Sequence, residues 1–142
     1  MTDDRLSIER SNVILYCQRW VDTTNFYRDT LRMPIEFANA WLVEFRINPT
    51  SFISIADASR TSIRSVDGQG LTMTFRVADA AVARDELLGR GAPVGSIMWR
   101  WGSLSFYVDD PEGHRLEFWG KEINPRDLAS NARVTARALT AK

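Results

Sequence analysis

A pattern of strand, helix and three further strands occurs twice along this chain, and no other feature limits its possible folds so strongly. In the first half, "NVILYCQR" (12–19) reads as a short buried strand, β-branched and aromatic between polar neighbours. Asp22 can cap a following helix, with Phe26, Tyr27 and Leu31 at helical spacing and Met33-Pro34 ending it. "WLVEFRIN" (41–48) and "SFISIADA" (51–58) alternate about an Asn48-Pro49-Thr50 turn. A polar connector, "SRTSIRSVDGQG" (59–70), then separates the halves. In the second half, "LTMTFRVA" (71–78) is a strand and Asp79 caps "AAVARDELLGR", which Gly91 closes. "GSIMWRW", "SLSFYVD" and "RLEFWG" follow as strands, with Asp110-Pro111 in the place of Asn48-Pro49. An offset of about 59 to 63 residues is longer than one small motif, so the repeat predicts duplicated modules of like strand order.

Composition narrows the function classes. At 142 residues the chain makes one domain by size, with module one about 10–58, module two about 70–121, and a helix or tail over 123–142. That last segment opens with Asn124-Pro125 and carries Leu128, Ala132, Ala136 and Leu139. Eighteen basic against eighteen acidic side chains leave no electrostatic footprint for nucleic acid. No run reaches membrane-spanning length and the charged N-terminus has no apolar leader core, so cytoplasmic is the expected address. One cysteine, Cys17, excludes an internal disulfide and a thiolate cluster, and alternation assigns it to the core.

The paired units, with "NFYRDTLRMP" after the first strand, "FRVAD" before the second helix and "DPEGHRLEF" near the end, resemble the vicinal oxygen chelate superfamily. That superfamily includes glyoxalase I, extradiol dioxygenases, fosfomycin resistance enzymes and bleomycin resistance proteins. The resemblance spans roughly residues 10–121 and is closest in character to the metal-free bleomycin-resistance branch, through "RWG" followed by the "DPEG" hairpin. It implies an α+β fold of two tandem βαβββ modules, forming half-barrel sheets with helices outside, plus the short C-terminal helix. It also implies a homodimer, and ligand pockets on the concave sheet faces. The metal-dependent members bind their ion at four strand positions, which map here to Asn12, Ser54, Thr72 and Glu117. Only Glu117 is an ordinary divalent-metal ligand, and the single histidine, His114, falls in a hairpin turn with its side chain expected at the surface. One carboxylate with an amide and two hydroxyls falls short of a transition-metal site, so no metal and no other cofactor is expected.

Alternation sets Arg115, Glu117 and Trp119 on one face of the last strand, and the strand order that the resemblance implies makes its neighbour the strand on which Thr72, Thr74 and Arg76 face the same way. Ser103, Ser105 and Tyr107 are aimed at the same concavity. Three roles remain open for Glu117. It can be half of a structural pair with Arg76 or Arg115, a ligand-binding carboxylate, or a catalytic base. Five tryptophans are ordinarily core or interface material; Trp101 and Trp119 can instead form a stacking wall, and Trp99 is expected on the same strand face as Trp101. The sequence therefore points to metal-independent binding or sequestration of a partly aromatic small molecule, with a divergent lyase or isomerase using Glu117 as the alternative. Candidate ligand-binding residues are Glu117, Trp119, Arg115, Tyr107, Thr72, Thr74, Arg76, Asn12, Ser54 and Trp101.

Overall fold

The computed structural model describes residues 2–122, so the expected C-terminal helix lies outside the described residues. The chain divides between Val66 and Asp67 into two compact units. The first holds β1 (Ser11–Cys17), α1 (Trp20–Asn25), β2 (Ile35–Ala38), β3 (Leu42–Asn48) and β4 (Ser51–Asp57), in sheet order β1-β4-β3-β2. The second holds β5 (Thr72–Arg76), α2 (Ala80–Gly89), β6 (Met98–Arg100), β7 (Ser103–Asp109) and β8 (Arg115–Glu122), in order β5-β8-β7-β6. In both sheets one outer pair, β1–β4 or β5–β8, is parallel and the rest are antiparallel. The registers also correspond. Asn12 lies opposite Phe52 as Thr72 lies opposite Arg115, and Ile14 opposite Ser54 as Thr74 opposite Glu117. The duplicated α+β architecture read from the sequence is thus present, with β2, to which no stretch was assigned above, completing the first unit.

Period-two alternation builds each core. In the first unit Leu15, Cys17, Val43, Phe45, Ile53 and Ile55 are buried on the face that receives Phe26 and Tyr27, with the Tyr27 and Phe45 rings 6.0 Å apart. Val13, on the same face by alternation, is 48% exposed. It sits toward the start of β1, whereas α1 begins past the strand's other end. In the second unit Leu104, Phe106, Val108, Leu116 and Phe118 are buried together, and the Phe106 and Phe118 rings stack at 5.4 Å. Met73 and Phe75, on alternate positions of β5, and Val77 just past its end are half-buried.

The helix ends follow their local chemistry unequally. Asp79 caps α2 as expected, accepting from the Ala81 and Val82 amides at 3.0 and 3.3 Å. Gly91, at φ 83°, closes it: Ala92 N–H donates to Leu87 O and Gly91 N–H to Leu88 O, the paired bonds of a Schellman stop. Asp22 does not cap α1. That helix begins two residues earlier, at Trp20, whose indole N–H donates to Ile55 O at 2.8 Å and so draws Trp20 into the first turn. Asp22 then lies in the first turn, where a carboxylate still suits the positive helix end. The helix widens over Phe26–Thr30, with Leu31 N–H donating five residues back to Phe26 O. No helix among the described residues is long and apolar enough to cross a membrane.

Candidate functional site

The β7–β8 hairpin positions the site, and Asp110 fixes the hairpin. One carboxylate oxygen, Oδ1, accepts from the backbone N–H groups of Glu112, Gly113 and His114, each at 3.0 Å. The other, Oδ2, lies 2.8 Å from His114 Nδ1. His114 is therefore buried, 4% exposed, and not at the surface as its place in a turn suggested. The reason is that a carboxylate buried by the turn must satisfy both oxygens, and the imidazole supplies the donor that the backbone lacks. Gly68 from the connector packs directly against the Gly113 carbonyl, closer than any side chain would allow, with φ 75°.

With the turn fixed, the register follows, and a one-residue slip would turn every side chain to the other face. On the helix-free face of the second sheet, Thr74, Glu117 and Tyr107 form one cross-strand row. Arg76, Trp119, Ser105 and Met98 form the next, and Thr72, Arg115 and Asp109 the one before. Arg100 pairs with Ser103 at the sheet edge. A cavity of about 180 Å³ opens here, lined by Arg100, Trp101, Ser103, Ser105, Glu117 and Trp119.

The arginines do not neutralise Glu117. Arg115 Nε donates to Thr72 Oγ1 at 2.9 Å and its guanidinium rests 4.5 Å from the Tyr107 ring centroid. Arg76 lies 5.3 Å over the Trp119 ring. Among the described residues the half-buried Glu117 carboxylate has neither hydrogen bond nor ion pair, so of the three roles left open the structural Glu–Arg pair is not seen. Ser105, only 2% exposed, has an Oγ with no partner. An acceptor and a hydroxyl thus face one small cavity with their hydrogen-bonding capacity unused.

Of the residues singled out from the sequence, Glu117, Trp119 and Trp101 border the cavity, and Thr72, Thr74, Arg76, Tyr107 and Arg115 share its sheet face. Asn12 and Ser54 belong to the first unit, where Ser54 Oγ donates to Asn12 Oδ1 at 3.0 Å. Arg100 is the lining residue that sequence reasoning passed over; its signal is the Trp101-Gly102 turn, which folds β6 back so that Arg100 meets Ser103.

That turn also corrects the tryptophan reading. Trp101 lies in a two-residue hairpin loop, with φ 54° followed by Gly102 at φ 77°, and is 97% exposed. Trp99 lies opposite Leu104, on the helix-covered face. A left-handed backbone suits Asn or Gly at this turn position and strains a bulky residue. Trp101→Asn is expected to stabilise the fold by about 1 kcal/mol, and an unchanged or lower melting temperature would contradict the turn assignment.

The four positions at which the resemblance places metal ligands do not suit a transition metal. Asn12 and Ser54 bond each other, Thr72 accepts from Arg115, and Glu117 is left as a single carboxylate. Among the described residues no three His, Cys, Asp or Glu side chains come together.

No family model matches the sequence, and no curated protein matches it. Solved structures do match the fold. A glyoxalase/bleomycin resistance protein/dioxygenase from Nocardioides aligns with TM-score 0.68 at 17% identity, covering 84% of this chain and 85% of that one. Lactoylglutathione lyase from Agrobacterium tumefaciens aligns with TM-score 0.60 at 22% identity, over 83% and 96% of the two chains. A glyoxalase/bleomycin resistance protein from Catenulispora acidiphila gives 0.64 at 14% identity, over 79% and 97%. At these identities the likeness is one of fold: the chain has the two-module architecture of glyoxalase-like proteins.

Proposed function

We propose that this chain is a metal-independent member of the vicinal oxygen chelate superfamily that binds a small, partly aromatic molecule and so sequesters or carries it. The observation that carries this reading is the cavity beside Glu117. It joins an aromatic wall to a carboxylate and a hydroxyl that nothing among the described residues satisfies, as suits a flat ligand with a polar edge. A group left with unmet hydrogen bonds destabilises the empty fold, and a ligand that meets them recovers that energy on binding. The functional unit we propose is a cytoplasmic homodimer.

Titration of tryptophan fluorescence with a panel of single- and fused-ring aromatics tests the reading, since Trp101 and Trp119 border the cavity. Saturable changes that Trp119→Leu abolishes are expected; no saturable change across the panel would remove the proposal. The purified protein is expected to carry no zinc, iron, nickel or manganese after dialysis. Elemental analysis finding one equivalent per chain would defeat the metal-free assignment. A second reading, a divergent lyase or isomerase using Glu117, is favoured by Tyr107, which lies directly across the strand pair and offers a phenol beside the carboxylate. Turnover of a bound panel member, lost in Glu117→Gln, would select it.

A further inference from the structure

The chemistry of the cavity floor narrows the ligand further. A carboxylate only accepts hydrogen bonds, and a serine hydroxyl accepts as readily as it donates. Glu117 and Ser105 are diagonal neighbours on adjacent strands, within reach of one ligand atom, and neither has a partner among the described residues. An anionic group would be repelled by Glu117, and a hydrocarbon would bury both polar groups unsatisfied. A group with several N–H donors and a positive charge satisfies both.

The first unit holds a carboxylate in the equivalent cross-strand row, one strand over in the place of Tyr107, and there it is already paired. Its Glu44 occupies the row that Glu117 occupies in the second unit, because Ile14, Ser54 and Glu44 pair across that sheet as Thr74, Glu117 and Tyr107 pair across the other. There the chain supplies its own cation. Arg10 donates to Glu44 Oε1 at 3.2 Å and lies 3.6 Å over the Phe52 ring. In the second unit, among the described residues, the Glu117 carboxylate has no such cation on it. Arg76 and Arg115 lie over the rings of Trp119 and Tyr107. Arg100, at the exposed mouth, reaches toward Met98 Sδ at 3.9 Å and the Tyr107 ring at 6.0 Å, where water screens its charge. Size sets the rest. An apolar cavity of about 150 Å³ takes a benzene ring, so about 180 Å³ admits one ring with a short substituent.

We propose, resting on the binding reading above, that the cavity recognises a protonated amine carried one carbon from a single ring, the ammonium meeting Glu117 and Ser105 and the ring lying against Trp119. The probe is benzylamine, cationic at neutral pH, against benzyl alcohol and benzoate of the same size. Titrations are followed by the indole N–H resonances of Trp101 and Trp119. Benzylamine is expected to bind roughly tenfold more tightly than benzyl alcohol, the scale of a charged hydrogen bond, with benzoate weakest. Glu117→Gln should erase that preference without lowering the melting temperature, because the folded protein loses no partner. Ser105→Ala should weaken benzylamine by about threefold while the melting temperature holds or rises, since an unsatisfied hydroxyl is removed. Equal affinities, benzoate binding tightest, or a preference that survives Glu117→Gln would overturn the ammonium assignment and leave the aromatic-binding reading standing. Failure of all three probes to bind would overturn both.

Discussion

Replacing Asp110 with alanine lowers the unfolding free energy by about 3–5 kcal/mol, measured as a shift of the denaturant midpoint at constant slope. The size follows from what one side chain does in the β7–β8 hairpin. Its Oδ1 satisfies three backbone amides, and its Oδ2 holds the buried His114 ring. Alanine leaves those donors buried with no acceptor, and each unmet group costs about 1–3 kcal/mol before relaxation. Asp110→Asn retains an oxygen for the amides and should lose about half as much. The loss reaches the cavity too, since the turn sets the register that aims Glu117 at its neighbours. A loss below about 1 kcal/mol for alanine would mean that the turn holds its shape without the carboxylate.

The second large effect is expected at Gly120. A Cβ on this residue would fall inside the contact distance of the Val77 carbonyl oxygen, and the obstacle is backbone. Val77 follows β5 and donates its own N–H to Trp119 O at 2.8 Å, so it cannot withdraw without breaking the junction between β8 and the start of α2. Gly120→Ala is expected to destabilise by about 3 kcal/mol or more, at the upper end for overpacking because no flexible side chain is there to yield. Gly89→Ala is the matched control. A Cβ there meets nothing within 4 Å, and the residue ends α2, so alanine should be neutral or stabilising by about 0.5 kcal/mol. Equal stabilities for the two variants would refute the close approach.

The elements that alternation governs were legible in the sequence. "SLSFYVD" and "RLEFWG" mark their strands because one face must be apolar, and the same rule brings Glu117 and Trp119 to the opposite face. Asp79 and Gly91 could be read because a cap and a left-handed stop are local chemistry. What could not be read depends on partners distant in sequence or on competition between local preferences. Trp20 enters α1 because Ile55 lies where its indole can donate, displacing Asp22 as the expected cap. The burial of His114 depends on an oxygen of Asp110 left over after three amides are served. The turn at Trp101-Gly102 was masked by tryptophan, a strong strand former, standing where the backbone is left-handed. At the site, residue types and facing were readable, whereas the independence of Glu117 from the nearby arginines was not. It rests on Arg115 turning to Thr72 and Tyr107.

The mixed strand order has a consequence for the order of folding. In each sheet the antiparallel strands join neighbours in sequence, while the parallel pair brings together residues about forty positions apart, Ser11 with Ser51 and Thr72 with Arg115. Closing so long a loop is favourable only once the strand to be joined already exists. The β3–β4 and β7–β8 hairpins are therefore expected to nucleate, with β1 and β5 adding late along their edges. Pulse-labelled amide exchange during refolding should protect β7 and β8 before β5, and simultaneous protection would argue for a single concerted step. Because Trp119 and Glu117 lie on the early hairpin and Thr74 on the late strand, the floor of the cavity takes shape before its flank. A chain arrested at that stage would expose a sheet edge where β5 belongs, the surface through which such an intermediate would pair with another copy and aggregate.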